Sequence, residues 1–174
     1  MDEQIVKRTE RAQVLVNSVG NAAMATVNVD DSPHNTPLFI AFSPDFETVY
    51  WISTPESLHS QNVSRNKQAY FALYAADAGG GLYFPAHNIR VTDGEELATG
   101  LTAYNLARAR QGHKQPLLLT ALNPPSPQRL YAATVTHYSV NVAEKDEQGR
   151  IVRDYRYEIS RQQLAASAED AVMY

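Results

Sequence analysis

The sequence predicts a mainly-β protein, an antiparallel barrel or sandwich with helices appended to it. Six or seven segments have strand character, either alternating apolar and polar residues or short continuous apolar runs. Turn-forming residues, rather than helices, join most of these segments. Helical segments are inserted at three places, near residues 3, 55 and 93. A doubly wound parallel sheet is disfavoured, because it requires a regular alternation of strands and helices that is missing here.

The first half of the chain begins with helical spacing and then changes to strand spacing. Residues 3–18 carry an apolar stripe with charges between its members, which predicts a helix. Residues 24–29 alternate in strand fashion, and strands from about 34 to 42 and from 49 to 52 follow after turn sequences. The continuous apolar run "QAYFALYA" at 68–75 predicts a strand that is covered on both faces. "DAGGG" at 77–81 predicts a flexible loop.

The next strand and helix carry signals at their boundaries. The strand "LYFPAHNIRVT" is interrupted by Pro85, which indicates a sheet edge or a bulge. A helix is predicted over 93–111, with Thr92 and Glu95 as a capping box. Gly112 fits the stop at the C-terminal end of this helix.

The last third of the chain predicts a long hairpin and a short tail. The hairpin lies within 128–159, and "EKDEQGR" forms its turn. Residues 160–174 form a short helix or a tail. With 174 residues and no repeat, the whole chain, 1–174, is predicted to be one domain.

Composition excludes several classes of function. A net charge of −4 disfavours a nucleic-acid partner, which requires a clustered positive surface. The basic residues near 108–114 are explained as the cationic end of a helix. The absence of cysteine excludes disulfides, thiolate metal sites and cysteine nucleophiles. There is no apolar run near 18 residues and no apolar signal core at the N-terminus, so we expect no membrane span and a cytoplasmic location.

Motifs for metal binding and catalysis are missing. The five histidines form no H-x-H or H-x-x-x-H pair, so we predict no metal site. A nucleophile elbow and a phosphate-binding loop are also lacking. No side chain stands out as an obligatory acid or base, and we therefore predict no catalytic residue.

The stretch "STPESLHSQNVSRN" at 53–66 has more than one interpretation. It follows the apolar strand "VYWI", and Thr54 suits a helix N-cap with Pro55 in the first helical position. Capping alone explains those two residues. The alternative is an anion site, because Ser53, Ser57 and His59 add hydroxyl and imidazole groups to a helix start whose N–H groups favour anions.

Local motifs occur in a characteristic order in three pieces of the chain. The pieces are "MATVNVDDSPHNTPLFIAF", "VYWISTPESLHSQNVSRNKQAYFALYA" and "GGGLYF…IRVTD". In order and spacing they resemble the pyridoxamine 5′-phosphate oxidase-related family of FMN-binding split barrels, from about Gly20 to Thr92 and more loosely to Ile159. The resemblance implies an antiparallel split β-barrel, similar to FMN-binding proteins. It also implies a homodimer with FMN at the subunit interface.

The same resemblance implies a set of FMN-binding residues. Those at the end of the third strand and the start of the following helix would lie at the FMN phosphate: Ser53, Thr54, Ser57, Leu58 and His59. Those in the second strand would edge the isoalloxazine ring: Asn35, Thr36, Pro37 and Leu38. Tyr83, from a later strand, could also reach the site.

This sequence departs from the oxidases where they carry cations. Asn35 and Ile40 stand where the oxidases have Arg and Lys around the second strand, and Leu58 and His59 replace an Arg-Lys pair. The C-terminal Arg…His signature for vitamin B6 phosphate is missing from "GRIVRDYRYEIS". Oxidation of pyridoxamine 5′-phosphate is therefore not expected.

The implied function is that of an FMN-dependent oxidoreductase acting on a small molecule, with NAD(P)H as a possible electron donor. A non-enzymatic protein that binds a flavin, a deazaflavin or haem is the alternative. Haem would need an axial ligand, with His34, His87 and His137 as candidates. A third interpretation is a barrel without ligand that acts as an interaction module.

Overall fold

Strands dominate the order of elements along the chain. The computed structural model describes residues 3–75 and 80–170, so 77–79 of the predicted glycine loop and 171–174 of the predicted tail lie outside the described residues. The strands are β1 (Asn21–Val27), β2 (Pro33–Phe42), β3 (Thr48–Ser53), β4 (Gln68–Ala75), β5 (Gly80–Val91), β6 (Arg129–Val135), β7 (Tyr138–Lys145) and β8 (Ile151–Ile159). The α-helices are α1 (Glu3–Ser18), α2 (Leu58–Asn66), α3 (Gly94–Arg110) and α4 (Arg161–Asp170).

Six of the strands close into an antiparallel barrel. The ring runs β1-β2-β3-β6-β5-β4 and closes because β4 pairs with both β1 and β5. The β7–β8 hairpin joins the sheet through β5. The prediction of an antiparallel barrel with appended helices is therefore confirmed.

The barrel divides along β5, at the predicted irregularity. Leu82 and Tyr83 pair with β7, whereas β5 pairs with β6 from Ala86 onwards. Pro85 lies between these two regions and pairs with Tyr70 of β4 on its other side. A register shift against β6 follows at once, between residues 87 and 90. A proline without an N–H group suits this position, because no ladder partner faces it on that side.

The barrel interior holds the main hydrophobic core. Trp51, Phe71, Phe84 and Tyr131 are almost fully buried there, and the Trp51 ring stacks on Tyr131 with ring centroids 5.5 Å apart. Alternate residues of β2, β3 and β6 point outward and form a second apolar layer under α3. Gly100 allows this close packing, since a Cβ there would lie 2.7 Å from the Tyr50 ring.

Helices α1 and α2 lie at opposite ends of the barrel. Helix α1 leads into the start of β1 and contacts β4 and β5, and its Ala12 and Leu15 are completely buried in the main core. Helix α2 connects the end of β3 to the start of β4 and contacts β1, β2 and β5. None of the helices in the described ranges is both long and apolar enough to cross a membrane.

Several local expectations need correction. The capping box at Thr92 is wrong, because Asp93 is the N-cap of α3 and the Thr92 hydroxyl donates to the carbonyl of Leu130 instead. Gly112 has a φ of +84° just after the helix end, as its predicted role as a stop requires. The hairpin around the "EKDEQGR" turn is confirmed as β7 and β8, but its predicted start at 128 is wrong, because β6 pairs with β3 and β5.

Strand β4 is not covered on both faces within a single chain. Phe71 and Leu73 point inward and are completely buried, whereas Tyr70 and Tyr74 are 44% and 72% exposed on the outer face. This finding corrects the expectation for 68–75. The continuous apolar run arises because tyrosines occupy the outward positions, where an ordinary surface strand has polar residues.

Candidate functional site

The end of β3 brings polar side chains into the mouth of the barrel. Ser53 is the last residue of β3 and shares its inward face with Trp51. A turn over 54–57 follows, in which the Ser57 N–H donates to the carbonyl of Thr54. Helix α2 begins at Leu58 with Ser57 as N-cap, so the prediction of Thr54 as N-cap and Pro55 as first helical residue is wrong. The turn takes those residues out of the helix.

Three hydroxyls and one imidazole form a closed hydrogen-bond cluster at this point. His59 Nε2 lies 2.7 Å from Ser53 Oγ and 3.1 Å from Ser57 Oγ. The two serine oxygens are 2.9 Å apart, and Ser57 Oγ is 2.8 Å from Ser60 Oγ. We call Ser53, Ser57, His59 and Ser60 the serine–histidine cluster. Ser53, Ser57 and His59, which the sequence analysis assigns to an anion, therefore lie together, and their contact with an anion stays a prediction.

Helix α2 is held over the barrel by a second polar contact. Asn62 Nδ2 donates to Thr26 Oγ1 at 3.1 Å and to Asn28 Oδ1 at 2.8 Å, which ties the helix to β1 and to the turn that follows it. Val63 is buried in the main core one residue further on. These contacts set the orientation of the helix and therefore the position of His59.

The surroundings of His59 disfavour the charged form of its imidazole. Burial lowers its pKa below the ordinary value of 6.5, and the nearby His34 lowers this pKa further. The side chain is 7% exposed, and the serine hydroxyls around it are neutral partners. The cluster therefore offers O–H and N–H donors that can turn toward an anion, but it carries no formal charge.

Strand β2 divides the predicted flavin-edging residues between two faces. Thr36 and Leu38 lie on the same face as Ile40 and point inward, and Thr36 Oγ1 lies 2.9 Å from His34 Nε2. Asn35 and Pro37 are exposed on the outer face. Only the first pair therefore shares a face with the serine–histidine cluster.

Tyr83 also lies on the outer face of the sheet. Tyr83 pairs with Ala72 of β4, Ala72 pairs with Ala23 of β1, and Ala23 pairs with Pro37 of β2. Three strand spacings, roughly 14 Å, therefore separate Tyr83 from Pro37. The Tyr83 ring covers Gly81, where a Cβ would lie 2.6 Å from the tyrosine oxygen, and the Arg156 guanidinium stacks on it 3.2 Å from the ring centroid.

The remaining predicted residues lie at the rim of the cluster. Thr54 contributes its backbone carbonyl, which accepts a hydrogen bond from Ser57 Oγ at 2.9 Å. Leu58 is 47% exposed. The outer face of β1 and β2 forms part of an open groove of about 490 Å³, whose walls include Asn35, Pro37 and Tyr74.

Solved structures with the same architecture are numerous. A haem-binding protein from Mycobacterium smegmatis superposes with a TM-score of 0.62 at 15% identity, over 91% of this chain and 60% of that one. An F420 reductase superposes with a TM-score of 0.52 at 18% identity, over 73% of this chain and 94% of that one. A pyridoxamine 5′-phosphate oxidase-related, FMN-binding protein from Nostoc punctiforme gives 0.51 at 15% identity, over 87% and 92%.

This chain is a split β-barrel by fold. The neighbours share its closed six-stranded antiparallel barrel, which confirms the fold that the sequence motifs implied. No protein-family model matches the sequence, and no curated protein does. The identities with the three neighbours, 15%, 18% and 15%, carry the fold and not the activity.

One basic residue on the strand next to Ser53 is absent from the sequence predictions. Arg129, the first residue of β6, is in register with Ser53. The β3–β6 pairing joins segments about 75 residues apart in the chain, so no local pattern in the sequence reveals it. The alternation of β6, which buries Tyr131, Ala133 and Val135 in the barrel, fixes the face on which Arg129 lies once the strand is known.

The split barrel does not bring the candidate haem ligands together. His34 faces inward beside the cluster, since it is in register with the buried Thr26. His87 lies in β5 between Gln68 and Thr134, and His137 lies in the connection from β6 to β7. Among the residues at 3–75 and 80–170, no group of three or more His, Asp or Glu side chains is placed to hold a metal ion.

Proposed function

We propose that this split barrel binds FMN, with the phosphate at the serine–histidine cluster, and that it acts as an FMN-dependent oxidoreductase on a small molecule. The observation that carries the proposal is the convergence of Ser53 Oγ, Ser57 Oγ and His59 Nε2 within 3.1 Å of one another. Neighbours of the same fold include an FMN-binding protein and an F420 reductase, which supports a flavin-type cofactor.

The residues present fit a phosphate in their hydrogen-bonding capacity. Each serine hydroxyl can rotate and donate to a phosphate oxygen, and the His59 ring can donate from Nε2 in the tautomer that protonates this atom. The free N–H groups at the start of α2 lie beside them and favour an anion. What the cluster lacks is a formal positive charge, since burial keeps His59 neutral.

The inner and outer residues of β2 have separate roles in this proposal. In this proposal the isoalloxazine ring, which supplies the redox chemistry when FMN is bound, lies against the backbone of β2 at 35–38. The side chains of Thr36 and Leu38 face the barrel interior, where Leu38 packs against the main core. Asn35 and Pro37 point to the outer face, where they would contact the cofactor or a second subunit across an interface.

A second copy of this chain is the occupant that we propose for the outer face of β1, β2 and β4. Tyr70, Tyr74 and Val27 are 44%, 72% and 43% exposed there, and small side chains such as Ala25 leave the face between them flat. An apolar surface of this kind is typical of protein interfaces, where tyrosine is enriched. Tyr83, on the same outer face, would then act across the dimer interface.

Haem is the second candidate ligand. It is favoured by the haem-binding neighbour, which superposes on 91% of this chain, although this chain spans 60% of that protein. His34 would be the axial ligand, because it faces the barrel interior next to the cluster.

The visible spectrum of freshly purified protein, followed by FMN titration, tests the proposal. A flavin spectrum that bleaches on addition of NAD(P)H supports the oxidoreductase. A Soret band instead of a flavin spectrum supports haem. A colourless protein that fails to bind FMN at high micromolar concentration contradicts the proposal.

A further inference from the structure

Arg129 stands directly opposite Ser53 in the sheet. The two residues are in register between β3 and β6, one position beyond the register pair Ile52–Leu130 and two beyond Trp51–Tyr131. Residues that face each other in this way project from the same side of a sheet, with Cβ atoms about 5 Å apart. Arg129 therefore projects on the side of the serine–histidine cluster, within reach of an anion bound at Ser53 Oγ.

The charge of Arg129 is not neutralised within the described chain. Its Nη1 donates to two backbone carbonyls, those of Ser126 at 2.7 Å and Gln128 at 2.6 Å. Three ion pairs between described residues join other arginines to Glu47, Glu96 and Asp146. Since a guanidinium has five N–H donors, Arg129 can keep these carbonyl contacts and still donate from Nε and Nη2.

The cluster needs such a cation if it is to hold a phosphate. A phosphate carries up to two negative charges, and charge-assisted hydrogen bonds to it are about twice as strong as neutral ones. His59 is neutral and Leu58 is apolar, so the cluster itself supplies none of this charge. Arg65, at the far end of α2, is engaged with the carbonyl of Val27 and with Asn62 Oδ1.

We propose that Arg129 is the cation that binds the phosphate of FMN at the serine–histidine cluster. This inference rests on the proposed function and adds the residue that makes the site specific for a phosphorylated flavin. Arg129 reaches the phosphate from β6, whereas the oxidases that the sequence resembles place their cations around the second strand and at the start of the helix. The phosphate would therefore occupy the same position as in the oxidases, but a different strand would supply the positive charge that binds it.

Binding of FMN and of riboflavin to variants of Arg129 tests this inference. Riboflavin has the same ring and side chain without the phosphate, so it reports contacts to the rest of the flavin. Quenching of flavin fluorescence is measured for the wild type, Arg129→Met and Arg129→Gln. Arg150→Met serves as the control, because it removes the same charge from an exposed turn where Arg150 pairs with Asp146.

We expect Arg129→Met and Arg129→Gln to weaken FMN binding about 10- to 100-fold, the range for loss of a charge-assisted hydrogen bond. Riboflavin binding is expected to stay within twofold of the wild type, and Arg150→Met should leave both affinities unchanged. The Gln side chain retains an amide N–H that can donate to the carbonyls of residues 126 and 128. The Gln variant therefore still tests the inference if the Met variant unfolds the segment 126–128.

Two results would overturn the inference while leaving FMN binding intact. One is an FMN affinity in both Arg129 variants equal to that of the wild type. The other is an equal loss of FMN and riboflavin binding, which would mean that Arg129 only supports the loop. A wild-type protein that binds neither flavin would instead remove the proposed function itself, and with it the role of Arg129.

Discussion

The two ends of the barrel are built from different chemistry. At the α1 end, Ala12 and Leu15 are completely buried among apolar side chains of the main core, and Thr9 of the same helix is 9% exposed. At the α2 end, the residues within 9% exposure include five polar ones: Thr26, Ser53, His59, Ser60 and Asn62. Burial of polar groups costs free energy unless every group is hydrogen-bonded, and an apolar end would avoid this requirement. The difference agrees with the proposal that the α2 end binds a ligand, while the α1 end closes the apolar core.

The largest expected effect comes from the apolar end. Leu15→Ala removes a completely buried side chain and leaves a cavity, so it should lower the free energy of unfolding by about 2–5 kcal/mol. Urea denaturation measures this change. Val14→Ala is the matched control, since Val14 is 55% exposed on the same helix and should change stability by less than about 0.5 kcal/mol. Similar values for the two variants would show that α1 does not close the core.

A change at the polar end should affect binding more than folding. Replacing both Ser57 and His59 by Ala removes two donors from the proposed phosphate site, and FMN binding should weaken by about 1–3 kcal/mol without unfolding. Calorimetric titration measures the affinity, and circular dichroism checks the fold. Ser64→Ala controls for a serine in α2, because the Ser64 hydroxyl is exposed and donates to the carbonyl of Gln61. An unchanged affinity in the double variant would remove the site.

The outer face between the two ends allows a test of self-association. Tyr74→Lys places a charge on the most exposed tyrosine of β4, which should weaken the proposed dimer at least about tenfold, since burial of an unpaired charge in an interface is costly. Light scattering coupled to gel filtration gives the mass across a range of concentrations. Lys145, on the β7–β8 hairpin, is already exposed, and Lys145→Glu should leave the mass unchanged. A wild-type protein that stays monomeric at all concentrations would contradict the dimer.

The smallest expected effect is the pH dependence of stability. The pKa of His59 is lower in the folded chain than the value of 6.5 that it takes when unfolded. The unfolded chain therefore binds more protons below pH 6.5, and stability falls as the pH drops from there to the folded pKa. One proton limits this slope to about 1.4 kcal/mol per pH unit. His59→Gln should reduce the fall in the free energy of unfolding between pH 7 and pH 5, as measured by urea denaturation. The same slope in the wild type and the variant would show that His59 is not the group responsible.

Local signals in the sequence predicted the helices and strands, whereas contacts between distant segments determined how these elements are arranged. The predicted helix 3–18 coincides with α1 because its apolar stripe is a property of that segment alone. The start of α2 was misplaced by three residues, since Thr54 and Pro55 fit a helix N-terminus and a turn equally well. The turn prevails because it brings Ser57 Oγ to the imidazole of His59 and to Ser60.

The residues of the candidate site likewise divide into those that local sequence predicts and those that strand pairing places. Ser53, Ser57 and His59 lie close together in the sequence, so their convergence could be predicted. Arg129 could not be found, because its place depends on the pairing of β6 with β3. Tyr83 and Asn35 were assigned to one site with these residues, but the alternation of their strands sends both to the outer face.

The most direct test of the central claim is the ratio of the dissociation constants of FMN and riboflavin for the wild-type protein. If the serine–histidine cluster and Arg129 hold the phosphate, FMN should bind at least about tenfold more tightly than riboflavin, because charge-assisted hydrogen bonds to the phosphate are absent from riboflavin. Equal affinities for the two flavins, or no binding of FMN at high micromolar concentration, would contradict the account.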